Sequence, residues 1–128
     1  MAQTWRCTLD GMGGFRKDVL VKMLDPIRAT KPHCVEMFLD EARLGARLSH
    51  PNIAQVFEVG DLDGIPWLAM EYVAGPNLEM VSQRLRRGGV RHYGHIARMI
   101  SDVARGLDYA HHLKDEYGQP LGIVHRDV

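Results

Sequence analysis

The sequence predicts an α+β protein in two parts, an antiparallel sheet with one main helix followed by a mostly helical segment. Two observations carry this prediction. Strand-like stretches predominate up to about residue 70, and helical periodicity predominates after the segment EYVAGPN at 71–77. A change of this kind, placed at a Gly- and Pro-containing stretch, predicts two lobes joined by a short connector.

The strands are predicted as two hairpins. QTWRCTL alternates, DGMGG supplies a glycine-rich turn, and KDVLVKML is typical of a second strand that ends at Asp25-Pro26. Further along, IAQVFEVGDLDGIPWLAMEYV contains two strand-like stretches around an Asp63-Gly64 turn. These four strands account for the predicted sheet.

Three helices complete the predicted order. The first runs from about His33 to Leu48 and stops at HPNI, because proline cannot continue a helix. The second runs from about Leu78 to Arg87 and ends at Gly88-Gly89, and the third runs from about Tyr93 to Leu113. KDEYGQPLG is a polar loop, and IVHRDV is extended again.

The composition argues against several classes of partner. The 128 residues include 16 basic and 16 acidic side chains, so no net charge favours nucleic acid or an anionic membrane. The chain has no signal-peptide pattern and no apolar run near the ~20 residues that cross a bilayer. The two cysteines, Cys7 and Cys34, are expected to be reduced thiols in a soluble cytoplasmic protein.

One carboxylate lies where an apolar residue is expected. Glu41 falls in the middle of the apolar stripe of the first helix, and a buried unpaired carboxylate costs several kcal/mol. Lys22 has the complementary problem, because it follows three apolar residues in a strand. Either the two form an ion pair, or both side chains extend to solvent. The stripe consists of Cys34, Met37, Phe38, Leu44, Gly45 and Leu48.

These residues resemble a known family. VLVK followed by Glu41 on the next helix, HPNI, LAMEYVAGPNL and IVHRDV resemble the protein kinases in order and spacing, and especially the bacterial, eukaryote-like serine/threonine kinases. The resemblance covers the whole chain but only about the first half of a kinase domain. It implies a kinase-like fold, with the N-lobe at 1–70, the hinge at 71–77 and the beginning of the C-lobe at 78–128.

The resemblance also implies catalytic roles. Lys22 would hold the α- and β-phosphates of ATP and would be positioned by Glu41, because a fixed ammonium offsets phosphate charge without reorganising. Asp127 would be the catalytic base that accepts the hydrogen bond of the substrate hydroxyl. His125, expected to be packed rather than titrating, and Arg126 would support the catalytic loop.

The nucleotide-binding residues follow from the same resemblance. Met70 would be the gatekeeper behind the adenine, where it would belong to the hydrophobic core and also form a wall of the nucleotide pocket. The Glu71 carbonyl and the Val73 amide would bind the adenine edge. Asn77 falls near the expected ribose, but capping of the helix at Leu78 is the favoured role for this asparagine.

The chain departs from the family pattern at several places. It begins at the tail of the glycine loop, and GMGG at 11–14 is a hairpin turn rather than a substitute. Thr4 stands where the family usually has valine. Leu20 stands where the family normally has alanine and should crowd the adenine. The family's magnesium ligands are expected after Val128, so no metal site is predicted here. The histidines do not predict a metal site either, because no cysteine ligands accompany them.

Three functions remain open at this point. The first is a serine/threonine protein kinase that uses ATP and Mg²⁺ and phosphorylates proteins on Ser or Thr. This chain would be a fragment of that kinase, inactive and poorly soluble alone. The second is a non-catalytic kinase-like module that binds a nucleotide or a protein, favoured by Leu20 and the missing loop. The third is a product of an incomplete gene, with no independent function. A cytoplasmic location is expected in the first case, including the cytoplasmic part of a membrane-anchored kinase.

Overall fold

The computed structural model describes residues 2–87 and 93–125. Its regular elements in chain order are β1 (Ala2–Asp10), β2 (Arg16–Leu24), α1 (Pro26–Ala29), α2 (Pro32–Arg47), β3 (Val56–Leu62), β4 (Ile65–Glu71), α3 (Leu78–Arg87) and α4 (Tyr93–His111). The chain divides into two compact units after Val73. The first contains the sheet with α1 and α2, and the second contains α3, α4 and His50–Asn52. The expected limits of N-lobe, hinge and C-lobe stay predictions.

The four strands form one antiparallel sheet in the order β1-β2-β4-β3. Residues that pair across antiparallel strands point to the same face, and faces alternate along each strand. Lys22 pairs with Thr4 on one side and Leu68 on the other. Leu20, two residues earlier, pairs with Arg6 and Met70. One face of the sheet therefore carries both rows.

The core of the first unit lies where α2 packs on this face. Phe38 and Ala42, one turn apart on α2, are buried against Leu24 and Leu68, and Met70 packs at the margin. Hydrophobic burial of this kind is the main favourable term in folding.

The predicted apolar stripe of α2 is only partly correct. Met37 is 67% exposed, and the Glu41 side chain is 60% exposed, so neither lies in the buried strip. The physical reason is that α2 rests on a single sheet, which covers a narrow strip of the helix centred on Phe38 and Ala42.

Turn chemistry explains both predicted hairpins. A 3₁₀ turn at Met12–Gly14 joins β1 and β2. Asp63 and Gly64, the two central residues between β3 and β4, both have positive φ, as a type I′ turn requires. The Gly64 amide also donates to an Asp61 carboxylate oxygen at 2.9 Å.

Two local features differ from the sequence-based prediction or extend it. Asp25-Pro26, predicted only as a strand end, begins the short helix α1, in which the Asp25 carboxylate accepts from the Ile27 amide at 2.9 Å. Residues 121–125 have no regular secondary structure.

The predicted end of α3 at Gly88-Gly89 lies outside the described residues. Among the helices that the structure describes, none is long and apolar enough to span a membrane.

Candidate active site

Lys22 and Glu41 form the ion pair at the centre of the candidate site. The Lys22 Nζ lies 2.5 Å from the Glu41 Oε1. Strand β2 supplies the lysine from the sheet face that α2 covers, and α2 supplies the glutamate beside its buried residues. The Lys22 side chain is 26% exposed, so it is held by Glu41 while part of it remains accessible to solvent. The ion-pair hypothesis is confirmed. The alternative, in which each side chain extends separately to solvent, is not what the structure shows.

The register places the expected adenine-binding residues on the Lys22 face. Leu20 and Met70 are cross-strand partners one row away from Lys22, and Thr4 pairs with Lys22 itself. Met70 is partly buried and packs against the core. An apolar surface next to a fixed cation suits a ligand with an aromatic base and phosphates. The roles of Leu20 and Met70 toward adenine stay predictions.

The end of β4 is held on one side by Gln55, the residue that precedes β3. The Glu71 amide donates to the Gln55 carbonyl at 2.8 Å, and the Gln55 amide donates to the Glu71 carboxylate at 3.2 Å. Val73, two residues later, is 69% exposed. The predicted use of the Glu71 carbonyl and the Val73 amide by adenine stays a prediction.

Asn77 caps α3. Its Oδ1 accepts a hydrogen bond from the Met80 amide at 2.9 Å, and its carbonyl accepts from the Val81 amide at 3.0 Å. Capping of this kind satisfies a backbone donor that the first helical turn leaves unpaired. The favoured capping role is confirmed, and the ribose role stays a prediction.

The catalytic-loop residues lie at or beyond the end of the described chain. His125, the last residue that the structure describes, is exposed, and its role in supporting the catalytic loop stays a prediction. Arg126 and Asp127 lie outside the described residues.

A cluster that the sequence reasoning missed lies on the same face of the sheet. We call it the Arg6 cluster, and it consists of Arg6, Asp18 and Tyr72. The Arg6 Nη2 lies 2.5 Å from the Asp18 Oδ2, and the Arg6 Cζ lies 4.6 Å from the centroid of the Tyr72 ring. The hydrogen bond from Arg6 lowers the pKa of Asp18. Each residue alone is typical of an exposed strand, and only the strand register could have brought them together.

The side chains that could bind a metal or form a disulfide were compared among the described residues. Within residues 2–87 and 93–125, no three His, Cys, Asp or Glu side chains form a group that could hold a metal ion. Cys7 and Cys34 form no disulfide. The cation at Lys22 fits a phosphate ligand.

Comparison with known proteins decides the family. A model of the protein kinase domain matches residues 14–128. The chain belongs to the protein kinase family. The fold and family inferred from the sequence are therefore confirmed.

Individual relatives agree with this assignment. The chain is 45% identical over 132 residues to the tyrosine-protein kinase MasK of Myxococcus xanthus, covering all of this chain and 20% of MasK. It is 34% identical over 133 residues to the serine/threonine-protein kinase PknA of Mycobacterium tuberculosis, covering all of this chain and 28% of PknA. The chain thus spans less than a third of these relatives.

A solved structure shows the same fold. A variant of the kinase domain of Mycobacterium tuberculosis PknI matches the whole chain with a TM-score of 0.68 and 31% identity, and the match covers 47% of that domain. The chain therefore corresponds to less than half of a solved kinase domain.

Proposed function

We propose that this chain provides the ATP-binding part of a protein kinase that transfers the γ-phosphate of ATP to serine and threonine hydroxyls of proteins. The observation that supports this most strongly is the Lys22–Glu41 ion pair, with the ammonium on the sheet face and the carboxylate on α2. Phosphoryl transfer depends on positioning and charge stabilisation, and this pair supplies a positioned cation.

Each residue of the site has a defined role in this proposal. Bound ATP with Mg²⁺ supplies the phosphoryl group and the cation that neutralises its charge. Lys22 binds the phosphates, and Glu41 restricts the rotamers of Lys22. Leu20 and Met70 contact the adenine base.

The remaining roles concern the edge of the nucleotide and the substrate. The Glu71 carbonyl and the Val73 amide bind the polar edge of the base, and Asn77 adds a contact near the ribose beyond its capping role. Asp127 accepts the hydrogen bond of the attacking hydroxyl, with His125 and Arg126 supporting its loop. We propose a cytoplasmic location for this reaction, where reduced cysteines are the rule.

The class of hydroxyl is the finer part of the proposal. PknA and PknI are named serine/threonine kinases, whereas MasK is named a tyrosine kinase. The sequence resemblance to bacterial serine/threonine kinases favours the first class. Phosphoamino-acid analysis of the labelled protein separates the two.

A second candidate function is a kinase-like module that binds nucleotide or protein without catalysis. Leu20 favours it, because the register puts this leucine between Arg6 and Met70 on the face of Lys22. A side chain larger than the family's alanine at this place reduces the room for a base.

The test uses the full-length gene product with radiolabelled ATP and Mg²⁺. We expect phosphoserine and phosphothreonine, and Lys22→Ala should lower the rate at least ~100-fold, the scale for removing one positioned charge-stabilising group. Lys17→Ala is the matched control, because Lys17 lies on β2 but on the opposite face, and it should leave the rate unchanged.

Three outcomes would contradict the proposal in different ways. Nucleotide binding without any phosphorylation favours the non-catalytic module. Phosphotyrosine alone shows that the hydroxyl class is wrong. Equal loss of activity in Lys22→Ala and Lys17→Ala shows that the lysine on the α2 face has no special role.

A further inference from the structure

The Arg6 cluster lies at one end of a continuous row of side chains on the sheet. Along β2 on this face, Lys22 is followed by Leu20 and then by Asp18, moving away from the core. Val19 pairs with Glu71, the last residue of β4, so Tyr72, the residue after it, follows the strand on the side of Asp18. The cluster therefore borders the Leu20–Met70 row that we propose for adenine.

Arg6 is held in this place by two different kinds of contact. Its guanidinium donates to the Asp18 carboxylate at 2.5 Å, and Asp18 also accepts from the Thr8 hydroxyl at 3.3 Å. The guanidinium carbon lies 4.6 Å from the centroid of the Tyr72 ring, within the range of a cation–π contact. Both contacts use the planar geometry of arginine, which lysine does not reproduce.

Tyr72 is the residue through which this cluster reaches the connector. The backbone before it is held by the Glu71 amide, which donates to Gln55 at 2.8 Å. The backbone after it passes to Val73, whose side chain is 69% exposed. Contact of the Tyr72 ring with Arg6 thus fixes the connector at 71–77 between Glu71 and Val73. These are the two residues whose backbone groups we propose for binding adenine.

We infer that Arg6 is a positioning residue for the nucleotide: it holds Tyr72, and with it the backbone at 71–73, in the arrangement that binds the adenine base. This inference rests on the proposed function. Arg6 contacts the connector and the sheet, and its effect on the nucleotide passes through Tyr72. Loss of Arg6 therefore weakens binding of ATP and leaves the phosphoryl-transfer step unchanged.

Steady-state kinetics of the full-length protein test this inference. Arg6→Ala and Tyr72→Leu should each raise the KM for ATP about fivefold, the scale of one partly exposed cation–π contact, and change kcat less than about twofold. Tyr72→Phe keeps the ring but removes the phenolic oxygen, which also interacts with Arg6, so its KM for ATP should lie between those of wild type and Tyr72→Leu. The double variant of Arg6→Ala with Tyr72→Leu should be no worse than either single variant, because both remove the same contact.

Lys17→Ala is the matched control for this experiment. Lys17 makes a cation–π contact with Phe57 at 3.7 Å, on the same hairpin but on the opposite face from Arg6. Its loss should leave the KM for ATP unchanged. A rise in KM equal to that of Arg6→Ala, or a fall in kcat as large as the rise in KM, would overturn the inference.

Amide hydrogen exchange separates this inference from the proposed function. Exchange at residues 72–74 should be faster in Arg6→Ala than in wild type whether or not the protein phosphorylates anything. If the wild type binds ATP without phosphorylating, the proposed function fails, and the Kd for ATP replaces KM with the same expected fivefold rise. Unchanged exchange at 72–74, or no binding of ATP by the wild type, would sink the positioning role.

Discussion

Replacing Gly45 with alanine tests how closely α2 packs on the sheet. Gly45 lies one turn after Glu41, and a Cβ atom at Gly45 would come within 2.8 Å of the Val56 Cγ2. Alanine is favoured over glycine in a helix interior by about 1 kcal/mol, whereas overpacking costs about 1–3 kcal/mol. Valine has few χ1 rotamers, so its methyl group cannot withdraw freely. We therefore expect Gly45→Ala to lower the free energy of unfolding by about 1 kcal/mol.

Urea denaturation of the full-length protein measures this effect, with Ala46→Gly as the matched control. Ala46 is exposed on α2, so its replacement reports helix propensity without a new contact and should cost about 1 kcal/mol. In a Val56→Ala background the overlap disappears, and Gly45→Ala should become stabilising. Stabilisation by Gly45→Ala in the wild-type background would refute the reasoning, because it would show that propensity outweighs packing at this helix.

The same substitution should also affect activity. A displacement of α2 by a few tenths of an ångström moves Glu41, which is on the adjacent turn, relative to Lys22 on the sheet. Catalysis depends on geometry at this scale. We expect a lower kcat in Gly45→Ala that is restored when Val56→Ala is added.

Two further predictions concern the ends of the site. Asn77→Ala should destabilise by about 1 kcal/mol, because α3 loses its cap; Asn77→Asp, which keeps an acceptor, should not, and equal urea midpoints for all three proteins would contradict the cap. The hydrogen bond from Arg6 lowers the folded-state pKa of Asp18. The contribution of the Arg6–Asp18 pair to the free energy of unfolding is therefore complete above the unfolded-state pKa of about 3.9. It is lost as the pH falls through the lower pKa of the folded state. The difference in unfolding midpoint between wild type and Asp18→Asn should accordingly shrink below about pH 4, and a constant difference from neutral to acid pH would argue against the pair.

Features set by local chemistry were predictable from the sequence. Three features depend on residues that are close together in the sequence: the Asp63-Gly64 turn, the helix α2 and the Asn77 cap. The Lys22–Glu41 pair was also accessible, because the sequence pattern set two opposite charges among apolar positions, although Glu41 itself is exposed in the structure.

Most of the remaining features depend on relations between distant segments. The exposure of Glu41 depends on how much of α2 one sheet can cover, and sequence periodicity does not contain that information. The Arg6 cluster depends on the register of three strands. The helix α1 did have a local signal, since Asp25 followed by Pro26 is typical of a capped helix start.

The two-faced sheet restricts how the length of this chain can vary among its relatives. Because successive residues of β2 point to opposite faces, insertion or deletion of one residue inside this strand would put Val21 or Met23 in the place of Lys22. Changes in length should instead be tolerated at the hairpin loop of 11–14, where Met12 is 97% exposed. Gaps in alignments of related kinases should therefore fall at this loop and avoid the strand that carries the lysine.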